Sequence, residues 1–340
     1  MINFIYYLFL SGILRSSFSF SLQDEPNNQL TSDLTLQPDS SSAPDSFEPM
    51  LNTTLSWVKT SAPGTLNWYS ITSDSNSGQR LAAVAQFNGI YTSTDYGGNW
   101  MKTKAPDYDW RFIIGDSKGQ RLAASVYGGG IYTSTDYGAN WVRTSAPSLN
   151  WYSMTSSSSG QRLTAVAYQG GIYTSNDYGA TWVKTSASNL KWYSVTGDSS
   201  GRWLAAVAQL DGIYTSNDYG TVWVKKFANA YDWRSIKSDS TGQRLAAVAY
   251  QGGIYTSDNY GIDWVKTSAP NLKWYSVTGD SKGRQLAAVE YQGDIYISYD
   301  YGVSWAKTSA PSLKWYSIST DSTMQRLAAV AYQGGIYTFK

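Results

Sequence analysis

Tryptophan recurs every 41 residues along most of this chain, and this spacing constrains the fold more than any other feature of the sequence. Two Trp series keep the spacing, and each has an earlier member, Trp57 or Trp68, displaced by one-residue insertions in the first repeat. The other members are Trp100, Trp141, Trp182, Trp223, Trp264 and Trp305 in one series and Trp110, Trp151, Trp192, Trp233, Trp274 and Trp315 in the other. Seven copies of the unit are therefore present. A β-rich unit of this length is typical of a propeller blade.

Each unit contains four short runs rich in β-branched and aromatic residues, which indicate strands. In one copy these runs are 151–155, 162–168, 171–175 and 182–186. The segments between them carry Gly, Asp, Ser or Pro, which suit tight turns. The pattern predicts an all-β fold, a seven-bladed β-propeller of four-stranded blades. If the chain zigzags outward, the turn after the second run and the connector between units lie on one face, which we call the YQGG face. The other two turns lie on the opposite face, which we call the box face.

The first and last repeats are incomplete in a complementary way. The last copy stops at Lys340, just after its third run, whereas residues 56–60 form an isolated fourth run before the first copy. We predict that residues 55–60 supply the outer strand of the last blade, so that the propeller spans 55–340. This closure would leave no open strand edge between the first and last blades.

A recurring motif, Ser-x-Asp-x-Gly-x-x-Trp, occupies the turn between the third and fourth runs. Its carboxylates are Asp95, Asp136, Asp177, Asp218 and Asp300. The copy that ends at Trp264 has Asn259 in the carboxylate position and Asp258 one place earlier. We expect the Asp and Ser side chains to bond turn backbone groups and the Trp to cover the apolar layer between blades, a structural role.

This motif resembles the Asp-box (BNR) repeat of sialidase-like propellers. Related families include sialidases, xyloglucan-cleaving glycosidases, sortilin-type receptors and photosystem II assembly factors. The resemblance covers about residues 55–340. It implies a propeller architecture and is compatible with an enzyme, a receptor or a scaffold.

Charge and composition remove several classes of function. With 26 Lys and Arg against 25 Asp and Glu, the chain has no strongly basic field to capture nucleic acid. It contains no Cys and no His, which excludes thiol nucleophiles, Cys/His zinc sites and imidazole acid–base chemistry. We expect no metal and no cofactor.

The N-terminal region precedes the repeats and differs from them in composition. Residues 1–21 contain a short apolar run followed by small residues, which predicts a signal peptide or a short hydrophobic anchor. Residues 22–54 have the composition of a disordered linker, and Asn52 begins a glycosylation sequon. These features predict a secreted, extracellular protein without a stable membrane span.

Repeated Tyr-Gln-Gly turns with nearby lysines are the candidate ligand-binding residues of the YQGG face. They are Tyr168, Gln169, Tyr250, Gln251, Tyr291, Gln292, Tyr332 and Gln333, with Lys191, Lys273 and Lys314 in the adjoining connectors. Aromatic planes beside amides and charged donors suit sugars, so we predict a multivalent glycan-binding site. The alternative is a turn whose Tyr packs between blades.

Two other sets of charged residues suggest different roles: the repeated arginines a structural role, and the non-repeated acids an enzymatic one. Five arginines share one position at the start of the second run, and we expect their aliphatic stems to cover neighbouring strands. They are Arg80, Arg121, Arg162, Arg244 and Arg326. The acids that break the repeat on the YQGG face are Asp107, Asp109, Asp211, Asp232, Glu290 and Asp294, and Asp211 with Asp232 is the first candidate for an acid pair.

These observations favour a secreted, non-enzymatic β-propeller that binds a glycan or protein on its YQGG face. The leading hypothesis is a multivalent lectin. The alternatives are a protein-binding scaffold resembling the photosystem II assembly factors and a glycoside hydrolase of the sialidase or xyloglucanase type.

Overall fold

A computed structural model describes residues 56–339. This part of the chain consists of strands, turns and irregular connections, without a helix, which confirms the all-β prediction. Accordingly, no helix within it could cross a membrane. The predictions for residues 1–21, residues 22–54 and Asn52 lie outside the described residues.

The strands, in chain order, begin with β1 (Trp57–Lys59), β2 (Trp68–Ser73), β3 (Leu81–Ala85), β4 (Gly89–Ser93), β5 (Met101–Lys102), β6 (Trp110–Gly115), β7 (Leu122–Gly129), β8 (Ile131–Ser134), β9 (Val142–Arg143), β10 (Leu149–Ser156), β11 (Leu163–Ala167), β12 (Gly171–Ser175), β13 (Val183–Lys184) and β14 (Trp192–Gly197). They continue with β15 (Leu204–Ala208), β16 (Gly212–Ser216), β17 (Val224–Phe227), β18 (Trp233–Ser238), β19 (Leu245–Gly252), β20 (Ile254–Ser257), β21 (Val265–Lys266), β22 (Leu272–Gly279), β23 (Leu286–Gly293), β24 (Ile295–Ser298), β25 (Ala306–Lys307), β26 (Leu313–Thr320), β27 (Leu327–Ala331) and β28 (Gly335–Phe339).

Antiparallel pairing groups these strands into units of four. In the first unit β2 pairs with β3, β3 with β4 and β4 with β5. The same order recurs down the chain, as in the unit from β14 to β17. The final unit consists of β26, β27 and β28, and its fourth strand is β1.

The core lies between the faces of neighbouring units. The second strand of a unit is buried at every position in β3, β11, β15 and β27 because both of its faces are covered. Small Ala side chains in these strands let adjacent sheets approach closely. The Trp that starts the repeat in each first strand has an exposed fraction of 0%, and Trp192 donates its indole N–H to the Ser188 carbonyl at 2.9 Å. The connector between units therefore satisfies the one polar group of this buried ring.

Hydrogen bonds join each unit to the next. In the first pair of units, the Ile113 N–H donates to Ser70 Oγ at 3.3 Å. On the box face, the Ser117 N–H donates to the Ser158 carbonyl at 3.0 Å, and the same serine-to-serine bond recurs between the following units. These bonds hold the first strands side by side around a common channel.

The last unit contacts the first in the same manner. The Ser322 N–H donates to the Ser75 carbonyl at 2.8 Å. In addition, β1 pairs with β28, and Trp57 lies opposite Phe339. The start and the end of the described chain thus share one sheet.

Candidate functional site

A cavity of about 180 Å³ opens where the first strands begin, on the YQGG face. It is lined by the residue that follows each fully buried Trp. This residue lies at a register shift of the first strand, as an extra residue between two paired positions, and such bulges redirect a side chain. Five of these residues are Tyr and two are Arg: Tyr69, Arg111, Tyr152, Tyr193, Arg234, Tyr275 and Tyr316. The cavity therefore combines aromatic walls with two guanidinium groups.

Arg111 is held by an acid and by two aromatic rings. Its Cζ lies 4.1 Å from the centroid of the Tyr69 ring and 4.8 Å from that of Tyr127. Its Nε lies 3.0 Å from Asp109 Oδ1. Stacking and ion pairing fix the planar guanidinium group at the cavity.

Arg234 has an equivalent environment three units further along the chain. Its Cζ lies 4.5 Å from the ring centroid of Tyr193 and 5.1 Å from that of Tyr250. Nη2 donates to Asp232 Oδ2 at 2.7 Å. The Nε of Arg234 is buried without a hydrogen-bond partner among the described residues.

The tyrosines of the cavity contact one another around its wall. The ring centroids of Tyr152 and Tyr193 lie 4.8 Å apart, as do those of Tyr275 and Tyr316. Burial raises the pKa of Tyr152 to about 12 and also raises the pKa of Tyr193. Their hydroxyls therefore stay neutral at physiological pH and can donate hydrogen bonds.

The structure brings the tyrosines of the Tyr-Gln-Gly turns to this cavity. Tyr168 stacks on Tyr152, and Tyr332 stacks on Tyr316, with centroid distances of 5.3 and 5.5 Å. Tyr291 also contacts Tyr316, at 5.7 Å. These rings are half-buried, so much of their surface is occupied by other tyrosines.

The glutamines of the same turns remain exposed. Gln169, Gln251, Gln292 and Gln333 all have positive φ angles, between 54° and 61°. Gln169 and Gln333 lie in turns, whereas Gln251 and Gln292 lie near the ends of β19 and β23, at shifts of strand register. They form a separate, repeated set of polar groups around the tyrosines.

The three candidate lysines lie beside the Tyr-Gln-Gly turns. Across strand pairs, Lys191 is opposite Tyr168, Lys273 is opposite Tyr250 and Lys314 is opposite Tyr291. Lys314 Nζ also lies 5.9 Å from the ring centroid of Tyr332. The structure therefore groups the predicted Tyr and Lys residues on one face.

Sequence reasoning overlooked Arg111 and Arg234, although a signal was present. Tyr-Asp-Trp-Arg occurs twice, at 108–111 and 231–234, where the other units have Tyr after the Trp. In both cases the preceding turn also has an apolar residue in the Gln position, namely Phe87 or Leu210, with exposed fractions of 63% and 59%. Simultaneous departures at several positions of two junctions between neighbouring units indicate a shared local function.

Backbone hydrogen bonds place each apolar residue beside the Tyr of its Tyr-Asp-Trp-Arg segment. The Phe87 N–H donates to the Tyr108 carbonyl at 2.8 Å, and the Leu210 N–H donates to the Tyr231 carbonyl at 2.9 Å. Both tyrosines are exposed. We call these two places the notches; both lie on the YQGG face.

Five of the six acids that break the repeat are engaged by cations, and Glu290 has no ion pair among residues 56–339. Asp211 Oδ1 lies 2.6 Å from Lys225 Nζ and accepts a hydrogen bond from Tyr214 at 2.8 Å. Burial opposes the negative charge of Asp211, but the bonds from Lys225 and Tyr214 together lower its pKa. Asp232 bonds Arg234 and Gln209. The other such ion pairs are Asp107 with Lys102, Asp109 with Arg111 and Asp294 with Lys307. Each member of the proposed Asp211–Asp232 pair thus has its own basic partner.

The motif turns on the box face have the local geometry expected of them. Ser175 Oγ donates to Asp177 Oδ1 at 2.8 Å and accepts from the Gly179 N–H at 2.9 Å, while the Thr181 N–H donates to Asp177 Oδ1 at 2.9 Å. Burial alone would raise the pKa of Asp177, but bonds from Thr181 and Ser175 lower it. In the variant copy, Asn259 Oδ1 accepts the equivalent bond from Ser257 at 3.0 Å.

The arginines at the start of the second strands connect neighbouring units. Arg162 Cζ lies 4.0 Å from the ring centroid of Tyr219, in the motif turn of the next unit. Its stem packs on Gly201, which has a φ of +74°, and a Cβ added there would lie 3.1 Å from Arg162 Cβ. The equivalent pairs are Arg80 with Tyr137, Arg121 with Tyr178, Arg244 with Tyr301 and Arg326 with Tyr96.

Comparison with known proteins agrees with the motif and the fold. The BNR-Asp box repeat family model matches residues 90–103, a segment that includes Asp95 and Trp100. No curated protein matches the chain. The expected resemblance to Asp-box propellers is confirmed.

Solved propellers of two kinds have a similar fold. YCF48 from Cyanidioschyzon merolae is 17% identical with a TM-score of 0.65, covering 84% of this chain and 98% of that one. A structure of YCF48 bound to D1 peptide is 14% identical with a TM-score of 0.66, covering 85% and 97%. The GH74 xyloglucanase from Xanthomonas campestris is 13% identical with a TM-score of 0.68, and the match covers 84% of this chain but 53% of the xyloglucanase. At these identities the likeness concerns the fold.

Proposed function

We propose that residues 55–340 form a seven-bladed β-propeller closed by β1, and that it acts as a non-enzymatic binding module. The pairing of Trp57 with Phe339 and the bond from Ser322 to Ser75 support the closed ring. The ligand is an extended protein segment that inserts a carboxylate or another hydrogen-bond acceptor into the cavity of the YQGG face.

The observation that carries this function is the presence of Arg111 and Arg234 in a ring that is otherwise tyrosine. Arg forms bidentate bonds with carboxylates and stacks on aromatic rings, so it suits recognition of peptide acceptors. The adjacent acids Asp109 and Asp232 orient the guanidinium groups and balance their charge. Such a site recognises its ligand by geometry more than by net charge.

The notches support a protein ligand. Exposed Phe87 and Leu210 offer apolar contacts beside Tyr108 and Tyr231, and aromatic and Arg residues are enriched where proteins bind one another. The similar fold of YCF48, recorded with a bound D1 peptide, adds support for this class of ligand.

The hydrolase alternative is less well supported. A glycosidase needs one carboxyl group that stays protonated as a general acid. Asp211 is paired with Lys225, and the bonds from Lys225 and Tyr214 lower its pKa, which favours its charged form. Asp232 is held in an ion pair by Arg234.

A glycan remains the second candidate because of one specific feature. The exposed amides of Gln169, Gln251, Gln292 and Gln333 repeat around the face beside lysines. Repeated weak sites of this kind give avidity for a surface.

A pair of variants separates these ligands. The first variant replaces each Asp and Arg of the two Tyr-Asp-Trp-Arg segments with the Asn and Tyr that the third unit has at 150 and 152. It carries Asp109→Asn, Arg111→Tyr, Asp232→Asn and Arg234→Tyr, and we call it the consensus variant. The four turn glutamines changed to Ala give the glutamine variant. Random peptides displayed on phage are selected on the full chain, and the binding of the enriched peptides is measured on all three proteins, with melting temperature as the check of folding.

The peptide hypothesis predicts binding to the full chain and to the glutamine variant, and loss of binding in a folded consensus variant. Failure to enrich any peptide would contradict it, as would peptides that bind the consensus variant equally well. A glycan array whose signals disappear only in the glutamine variant would favour the lectin.

A further inference from the structure

Lys237 is the exception at its position in the first strands. The corresponding residues of the other units are Thr72, Ile114, Thr155, Thr196, Thr278 and Ser319. Lys237 and all of these residues line the channel toward the box face. Most of them carry a hydroxyl group, whereas Lys237 carries an amine. Because four units have Thr here, the fold does not require Lys.

Two cavities meet at Lys237. One, of about 220 Å³, is the channel toward the box face, lined largely by Ser, Thr and Asp. The other, of about 430 Å³, lies between the fifth and sixth units and is lined by Lys237, Arg244 and the floor residues Leu245 and Leu286. The corresponding groove between the first and second units has a volume of about 20 Å³. The cavity beside Lys237 is therefore much larger than the groove between the first and second units.

No hydrogen bond or ion pair within residues 56–339 holds the Lys237 amine. Two turn acids that line both cavities are already engaged: Asp239 accepts from the Thr241 N–H at 3.1 Å, and Asp280 accepts from the Arg284 N–H at 2.8 Å. Burial lowers the pKa of Lys237, although the charge of Asp239 opposes this shift. A larger share of the amine is then uncharged at neutral pH, and only the uncharged form is a nucleophile.

We propose that Lys237 is a covalent capture site for a small hydroxylated aldehyde or ketone that enters through the cavity between the fifth and sixth units. In this step the Lys237 nitrogen attacks the carbonyl carbon, a C=N bond replaces the C=O bond, and both amine hydrogens leave with the oxygen as water. The reaction requires no oxidant or reductant and is reversible.

The lining of the larger cavity sets the ligand class. Hydroxyl-bearing Ser257 and Thr256 and the carboxylates of Asp258 and Asp263 lie along it. Asp258 and Asp263 are exposed, and the equivalent positions of the first unit are the neutral Thr94 and Asn99. Carboxylates accept hydrogen bonds from ligand hydroxyls, so a hydroxylated carbonyl compound fits better than an apolar one. This site is separate from the peptide site proposed above.

Reductive trapping tests the proposal on the full chain. The protein is treated with a limiting amount of glycolaldehyde or propanal and with cyanoborohydride at neutral pH, and modified lysines are quantified by peptide mass spectrometry. Lys118 and Lys282 serve as internal references because they are exposed on the turns of the box face. Lys237→Thr and Lys282→Arg are the matched variants, checked by melting temperature.

The proposal predicts that glycolaldehyde modifies Lys237 severalfold faster than Lys282. Changing Asp258 and Asp263 together to Asn should slow glycolaldehyde labelling severalfold and leave propanal labelling unchanged. Labelling of Lys237 no faster than that of Lys118 and Lys282 would overturn the capture site. Equal labelling by the two aldehydes, unaffected by the Asp changes, would overturn the ligand class.

Discussion

Trp57 pairs with Phe339 in antiparallel register, and their ring centroids lie 5.4 Å apart. Trp57 also contacts Trp315 at 6.3 Å and has an exposed fraction of 9%. One side chain thus packs the first described strand against two strands from the end of the chain.

This contact predicts that Trp57→Ala lowers the free energy of unfolding by roughly 3–5 kcal/mol, because a large buried aromatic side chain is lost where β1 pairs with β28. Val58→Ala, on the exposed side of the same strand, should change it by less than about 0.5 kcal/mol. Chemical unfolding of the full chain measures both, and equal stabilities would contradict closure through β1.

The two Trp series differ in burial, which predicts unequal costs of truncation. Trp192 is fully buried, whereas Trp182 is partly exposed. Trp192→Ala should cost roughly 3–5 kcal/mol, and Trp182→Ala should cost less. Urea unfolding of the two variants checks this order, and a larger loss for Trp182→Ala would show that the motif Trp is the main core residue.

The contact between Arg162 and Tyr219 predicts a measurable coupling between neighbouring units. A double-mutant cycle with both residues changed to Ala should give a coupling energy of about 0.5–1 kcal/mol, since the pair is partly exposed. Tyr178 contacts Arg121 instead, so a cycle between Arg162 and Tyr178 is the control and should give no coupling. Equal values in the two cycles would argue against a specific contact.

The buried tyrosines predict a loss of stability at alkaline pH. The pKa of Tyr152 is about 12 in the folded chain against an ordinary value of 10.0, so the folded state holds the proton more tightly. The contribution of the Tyr152 hydroxyl to the free energy of unfolding is fully present below pH 10.0 and is lost as the pH rises toward 12. Unfolding titrations across this range should give a steep decline that is shallower in Tyr152→Phe, and an unchanged slope would contradict the burial of this hydroxyl.

Local features of the fold could be predicted from the sequence because they depend on residues close together in the chain. The hydrogen bonds among Ser175, Asp177 and Gly179 span four residues, and a repeated motif identifies them directly. The strands and turns follow from the same repetition.

Contacts between units could not be predicted in this way. The contact of Tyr152 with Tyr193 and the placement of Arg162 over Tyr219 depend on how the sheets pack, which no local pattern reports. Arg111 and Arg234 were overlooked for another reason. The sequence prediction was based on residues that recur in most units. Arg111 and Arg234 replace a recurring Tyr in only two units, so they were not selected.

In the proposed binding mode, one ligand segment occupies one cavity per chain. Isothermal titration calorimetry with an enriched peptide, on the full chain and on the consensus variant, measures this stoichiometry. We expect one peptide per full-length chain and no detectable binding to the folded consensus variant. Several equivalent sites per chain, or equal affinity for the two proteins, would contradict it.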